Sequence, residues 1–387
     1  MSEKLYTRDF YVLAASTFAF FMSFHMLLPI ISPYAKQLGA GEGEIGVIIG
    51  IFALIAVLSR IPYGSYADKH SKKNLLLIGA LIFTLAPLLY SMSSNPRALI
   101  FARMLHGLGI GAFTIAAFAL VAELSPKLRL GEAMGVYGVS IMIATAIAPA
   151  LSGYLVDIVG FDNTFYLASG FGFLSLALAA LMHRDQVAKS PDSLLEGFSN
   201  AVRNRGVLLA SYGIFILTVS YGVVVAFIPV HMINQGISYT LVGGFFAVYA
   251  VATIITRPVM GKLSDKVGRI NVIVPMMLLT VAGIYSVSLF ASIDGLYISA
   301  VAYGFGFGSA YAVLSAMVID NIKPKNRGTS MAVFTSNFDL GIAVGSMGLG
   351  LAADSLGYPR LFQLTAFILF MGIVVFATLS FISHQNK

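Results

Sequence analysis

The chain has 387 residues, 58% of them apolar and only 11% charged, with a mean hydropathy of +0.87. Soluble domains run about 25% charged, so a chain this poor in charge is excluded as a water-soluble protein and needs lipid as its main solvent. The absence of cysteine excludes disulfides, thiolate metal sites and a cysteine nucleophile. The formal charge of +7 is spread over many short segments, which speaks against a nucleic-acid surface.

A bilayer core needs about 20 apolar residues per helix. Lys4 and Arg8 precede an apolar run without a small-residue cleavage site, which reads as a first helix and not as a removed leader. Measured this way, the chain holds twelve spans, roughly 10–34, 44–65, 74–92, 97–121, 131–155 and 164–183, then 207–233, 240–262, 271–291, 296–319, 329–353 and 360–382. The fold class is therefore all-α integral membrane. Short polar breaks such as Ser93-Ser94-Asn95-Pro96 separate the spans. Residues 184–206 form the one long connection. Its Ser190-Pro191 helix start and the apolar spacing of Leu194, Leu195, Phe198 and Val202 predict a short amphipathic helix on the membrane face. Residues 1–183 and 207–387 are then the two six-span halves.

By the positive-inside rule, 20 of the 24 Lys and Arg residues lie on the side of the termini or at helix ends facing it. Lys36, Arg97 and Arg360 lie opposite, and Arg103 lies inside a span. Both termini are predicted to be cytoplasmic.

The second half repeats the first at an offset of 197 residues. Arg60, Gly64, Asp68, Lys69 and Asn74 match Arg257, Gly261, Asp265, Lys266 and Asn271. Gly107, Gly109 and Gly111 match Gly304, Gly306 and Gly308. Gly153, Asp157 and Gly160 match Gly350, Asp354 and Gly357, while Gly39 and Gly46 match Gly236 and Gly243. Six spans, an even number, separate the copies, so the expected architecture is two six-helix bundles related by a pseudo-twofold axis along the membrane normal.

Gly64-Ser65-Tyr66-Ala67-Asp68-Lys69-His70-Ser71-Lys72-Lys73 resembles the loop signature G-x-x-x-D-[RK]-x-G-[RK]-[RK] of the major facilitator superfamily, with Ser71 in place of glycine. Gly261 to Arg269 is its second copy and keeps Gly268. Arg103-Met104-Leu105-His106-Gly107 resembles the family's R-x-x-Q-G, and Ala144 to Gly153 is a degenerate form of its fifth-helix antiporter motif G-x-x-x-G-P-x-x-G-G. The resemblance is to the twelve-span drug/proton antiporters. It implies a transporter of a small organic molecule, coupled to protons.

The loop residues Gly64, Asp68, Lys69, Lys72, Gly261, Asp265, Lys266 and Arg269, with Glu123 and Asp320, are expected to form a cytoplasmic gate. Glycine there would admit a neighbouring helix, and the charges would hold free helix ends or each other. The Gly-x-Gly-x-Gly runs lie inside apolar helices with no preceding strand, so they read as helix contacts and not as phosphate loops.

Ionisable groups in the hydrocarbon are costly without water or a partner, and so are functional candidates. Asp339 falls near mid-membrane on the eleventh span, on a face opposite Asn337, Gly341, Gly345 and Gly348. A carboxyl there either exchanges a proton or meets a cationic cargo, or else is held by Ser336, Asn337 or a neighbouring helix. Arg103 and His106 share one face of the fourth span, and His25 lies in the first. Arg103 either binds an anion, partners Asp339 or reaches the outer interface. The two histidines are either proton relays or packed contacts. Tyr137, Tyr221, Tyr249, Tyr303 and Tyr311 either line the path or pack.

No nucleotide site, catalytic triad, metal cluster or cofactor is indicated. The expectation is a monomeric secondary transporter in the cytoplasmic membrane that exports a small molecule against protons. The alternatives are a proton-coupled nutrient symporter and a non-transporting receptor.

Overall fold

The computed structural model describes residues 6–126, 129–183, 202–322 and 327–385. Among these residues the chain is all helix, in twelve elements. They are α1 (Arg8–Leu27), α2 (Ile31–Gln37), α3 (Glu42–Lys69), α4 (Lys72–Ser91), α5 (Pro96–Leu124), α6 (Leu130–Ala180), α7 (Arg205–Asn234), α8 (Tyr239–Val267), α9 (Arg269–Val287), α10 (Ile293–Asp320), α11 (Arg327–Leu356) and α12 (Tyr358–Gln385). Ten of them are long and apolar enough to cross a membrane, and α6 is 51 residues long. The amphipathic connector expected at 184–206 lies almost wholly outside the described residues.

Two boundaries differ from the sequence reading. The first span is interrupted at Leu28–Ile30, because Pro29 has no N–H to continue the ladder. There Leu28 and Ile30 bond three residues back, to His25 and Leu27, instead of four. The fifth and sixth spans are the two helical arms of α6 and meet without a loop at Gly160 (φ 80°, ψ 178°). The two arms of α6 fold back side by side. Neighbouring residues of α1 show this, since Thr17 donates to Tyr137 Oη on one arm while Ser16 donates to the Ser175 carbonyl on the other.

The 197-residue repeat reappears as geometry. Positive-φ glycines stand at Gly39 and Gly236, and at Gly160 and Gly357, each pair one offset apart. Gly268 is positive too (φ 94°), whereas its counterpart Ser71 is not. Ser71 starts α4 from an extended conformation, its Oγ accepting from the Asn74 amide at 3.2 Å. A side-chain cap therefore does at one copy what glycine's freedom does at the other.

The glycine runs are helix contacts. Successive odd positions of a helix point about 200° apart, so alternate glycines meet different neighbours. Added methyls at Gly107 and Gly111 would strike Phe52 and Ser59 of α3, and one at Gly109 would strike Ile82 and Phe83 of α4. Gly304 and Gly308 face α8, at Tyr249 and Thr253, while Gly306 faces α9 at Thr280.

The described chain divides into two compact units. One holds Met1–Gly39, Ile51–Ser190 and Ser238–Ala247, and the other Ala40–Gly50, Pro191–Ile237 and Val248–Lys387. The units follow the sequence halves except for two equivalent exchanges, the first turns of α3 and of α8. Paired glycines allow each exchange. Gly243 meets the Pro149 and Ala150 backbone of α6 in the first unit, and Gly46 meets Ser346 and Gly350 of α11 in the second.

Candidate functional site

In the first unit, Arg103 is 4% exposed, with its guanidinium carbon 4.3 Å from the Phe52 ring centre. His106 is fully buried, and its Nδ1 hydrogen-bonds the Tyr90 hydroxyl at 2.6 Å. Phe83 and Phe52 pack edge-on to the imidazole. The two sequence candidates of α5 are thus brought together, inside a closed aromatic core. Phe20 stacks between Phe83 and Phe113 in the same core. His25 sits elsewhere in this unit, with Nε2 2.8 Å from Thr145 Oγ1 and Nδ1 buried without a partner. Tyr137, 1% exposed, packs on Phe118 and accepts from Thr17.

The second unit gathers the other four tyrosines. Tyr221 of α7 stacks on Tyr249 of α8 at 5.8 Å and lies 5.1 Å from Phe307 of α10. Tyr303 stacks on Phe307 and hydrogen-bonds Ser220 at 2.8 Å. Phe338 of α11 touches Tyr221, Phe307 and Tyr311. Tyr303, Tyr249 and Phe307 form the buried back of the cluster, while Tyr221, Tyr311 and Phe338 are partly exposed in front.

Asp339 follows Phe338 and is half-buried. It lies about 18 Å along α11 from Arg327 at 1.5 Å per residue. Asn337 is satisfied within its own helix, its Nδ2 donating to the Val333 carbonyl at 3.0 Å. The glycine stripe behind them packs as expected at two of its positions: Gly341 meets Thr218 and Gly345 meets Val219 of α7, whereas nothing lies near Gly348.

Arg257 was counted in the sequence among charges at a helix end. The structure corrects this. The residue lies within α8, about 15 Å before its end at Val267, and its guanidinium carbon is 4.9 Å from the Tyr311 ring centre. Pro258 stays within the helix.

Four of the residues expected at the gate form two equivalent ion pairs. Lys72 at the start of α4 pairs with Glu123 of α5 at 2.5 Å, and Arg269 at the start of α9 pairs with Asp320 of α10 at 2.8 Å. Arg269 also reaches Asp265 and Ser264 Oγ. Lys69 is exposed, as is Lys266, and the Asp68 side chain lies outside the described atoms. Gly64 is half-buried, and among the described residues no atom comes within 4 Å of a methyl placed on Gly261.

Sequence reasoning missed a second set of contacts at the opposite helix ends. Asp157 accepts from the Tyr239 and Thr240 amides at 3.2 and 2.7 Å and from the Thr240 hydroxyl at 2.6 Å. One offset later, Asp354 accepts from the Glu42 amide at 3.3 Å, and Glu42 accepts from the Tyr358 hydroxyl at 2.8 Å. The equivalence of Asp157 and Asp354 in the repeat was the available signal. Among the described residues no group of acidic, histidine or cysteine side chains is placed to hold a metal.

A family model for the Major Facilitator Superfamily matches residues 13–294 and again 210–387. An uncharacterised MFS-type transporter of Methanocaldococcus jannaschii is 26% identical over 380 residues, covering 95% of this chain and 97% of its own. The multi-drug resistance efflux pump PmrA of Streptococcus pneumoniae is 28% identical over 384 residues, covering 92% and 93%. Among solved structures, a bacterial homologue of the human lysosomal transporter Spinster, in an inward-facing and occupied conformation, superposes with a TM-score of 0.81 at 14% identity over 96% of both chains. The nucleoside transporter NupG gives 0.80 at 13% identity, covering 96% of this chain and all of its own.

Proposed function

From the premise that the chain belongs to the Major Facilitator Superfamily, we propose that it is a secondary active transporter that exports a small organic molecule across the cytoplasmic membrane in exchange for protons. Relatives matched over nearly their whole length, one named a multi-drug resistance efflux pump and another a multidrug resistance protein, support export. The observation that carries the coupling is Asp339, an acid midway along an apolar helix and half-buried beside an aromatic cluster. A carboxyl at that depth is stable as a neutral acid, or as an anion with water or a cation beside it. The proton occupancy of this group and the binding of cargo beside it are then linked, which is the minimum that coupled transport needs.

Alternating access follows from the repeat. In this reading each half is a six-helix bundle, the two are related by a half-turn along the membrane normal, and both termini are cytoplasmic, as the charge bias implies. The Lys72–Glu123 and Arg269–Asp320 pairs brace the cytoplasmic helix ends. The Asp157 and Asp354 contacts join helices of different sequence halves on the outer side and release when that side opens. A carboxylate at a helix N-terminus suits such a latch, since it gains about 1 kcal/mol from the free amides and dipole and is readily broken.

The test is purified protein in liposomes with an imposed pH gradient and a panel of labelled amphipathic compounds. Uphill movement of a compound against proton flow is expected in the wild type and is lost in Asp339→Asn, with downhill exchange retained. Coupling that persists in Asp339→Asn removes that residue from the mechanism. Uptake in the same direction as protons would replace export by import.

A further inference from the structure

The second unit contains an arginine for which the coupling scheme has no use. Arg257 sits within the hydrophobic length of α8, and its Nε is buried with no hydrogen-bond acceptor. A buried donor without a partner is costly, the more so when charged. Arg103 in the first unit resolves its burial differently: it is 4% exposed beneath Phe52, in a closed core. Arg257 is half-exposed at the open edge of an aromatic wall.

That wall has a definite form. Tyr311 lies under the guanidinium, Phe338 stands 5.8 Å from Tyr311, and Tyr221 lies 6.3 Å from Phe338. Tyr249 and Phe307 back Tyr221 at 5.8 and 5.1 Å. The exposed faces come from three helices, α7, α10 and α11, with Arg257 supplied by a fourth. Flat π-faces favour a planar apolar body. The guanidinium fork matches a carboxylate with two parallel hydrogen bonds, and a ring beneath it holds its plane.

We propose that Arg257 and this aromatic wall form a recognition site for the cargo, and that the site takes a planar aromatic body bearing a carboxylate. This rests on the transporter reading for its purpose but not for its chemistry. The sign of charge is the discriminating feature. A carboxylate supplies the missing acceptor, a neutral isostere supplies a weaker one, and an ammonium group meets a fixed positive charge.

The experiment is equilibrium binding of 2-naphthoate and of its neutral isostere 2-naphthamide to the full-length protein in nanodiscs, with empty nanodiscs subtracting partition into lipid. Wild type is expected to bind the acid at least about tenfold tighter than the amide, the scale of one charged hydrogen-bond pair. Arg257→Gln should bring that ratio to about one by weakening the acid alone, Arg257→Lys should keep part of it, and Tyr311→Leu should weaken both probes. Circular dichroism and a melting curve establish that each variant is folded. Equal binding of the two probes by wild type, binding of neither, or a ratio unmoved in folded Arg257→Gln would overturn the proposal. Proton-driven flux of the labelled panel is measured in parallel. Flux without charge preference sinks this site and leaves the transporter reading intact, whereas charge preference without flux does the reverse.

Discussion

Asp157 holds Thr240 by both its amide, at 2.7 Å, and its hydroxyl, at 2.6 Å, and so caps the first turn of α8 from the middle of α6. Asp157→Ala removes every acceptor of this cap, worth about 1 kcal/mol and hence about a fivefold change in the population of the opened contact. The wild-type chain has no cysteine, so a single Ala150→Cys, beside Gly243 at the same contact, reports opening cleanly. Labelling by a membrane-impermeant maleimide should rise severalfold in Asp157→Ala; an unchanged rate would remove the latch from the scheme.

The Lys72–Glu123 and Arg269–Asp320 pairs are equivalent in sequence and unequal in environment. Lys72 is 9% exposed in its side chain and Glu123 32%, against 23% and 49% for Arg269 and Asp320. Water screens the second pair more. Double-mutant cycles on thermal stability should give a coupling of about 1–3 kcal/mol for Lys72–Glu123 and below about 1 kcal/mol for Arg269–Asp320. The reverse order would show that burial does not set the strength here.

Gly345 and Gly348 lie three residues apart on α11 with opposite requirements. A methyl on Gly345 would overlap the Val219 backbone, while one on Gly348 meets nothing within 4 Å. Gly345→Ala should lower the melting temperature by the equivalent of about 1–3 kcal/mol. Gly348→Ala should be neutral, or stabilising by about 0.5–1 kcal/mol from helix propensity.

The starts of α9 and α4 in the two copies of the repeated loop should respond unequally to exchange. Gly268→Ser forces a side chain into φ 94° and should cost about 1–3 kcal/mol. Ser71→Gly loses the cap to Asn74 but keeps a tolerated N-cap residue, at a few tenths of a kcal/mol. Melting of the two single variants decides it.

Much of this was legible in the sequence because the period and the apolar length are both long-range signals. The spans, the repeat and the packing role of the glycine runs needed only spacing. Local breaks were harder: Pro29 interrupts its span, whereas Pro62, Pro87 and Pro149 remain inside helices, and hydropathy cannot tell these apart. Side-chain direction was the other limit. Nothing in the spacing separates Tyr137, enclosed by Thr17 and Phe118, from Tyr221, which faces outward from a similar setting. Arg257 was misplaced for a related reason: it lies near the predicted end of its span at 262, and hydropathy does not show that the helix continues to Val267.

Gly160 reverses the chain in a single residue, and Gly357 separates α11 from α12 by no more than itself. Helices joined so tightly have no slack between them. Displacement of one arm of α6 is handed directly to the other, so the pair behaves as one stiff lever and not as two tethered rods. Lengthening either joint with a few flexible residues would leave every helix its own contacts and uncouple the motion.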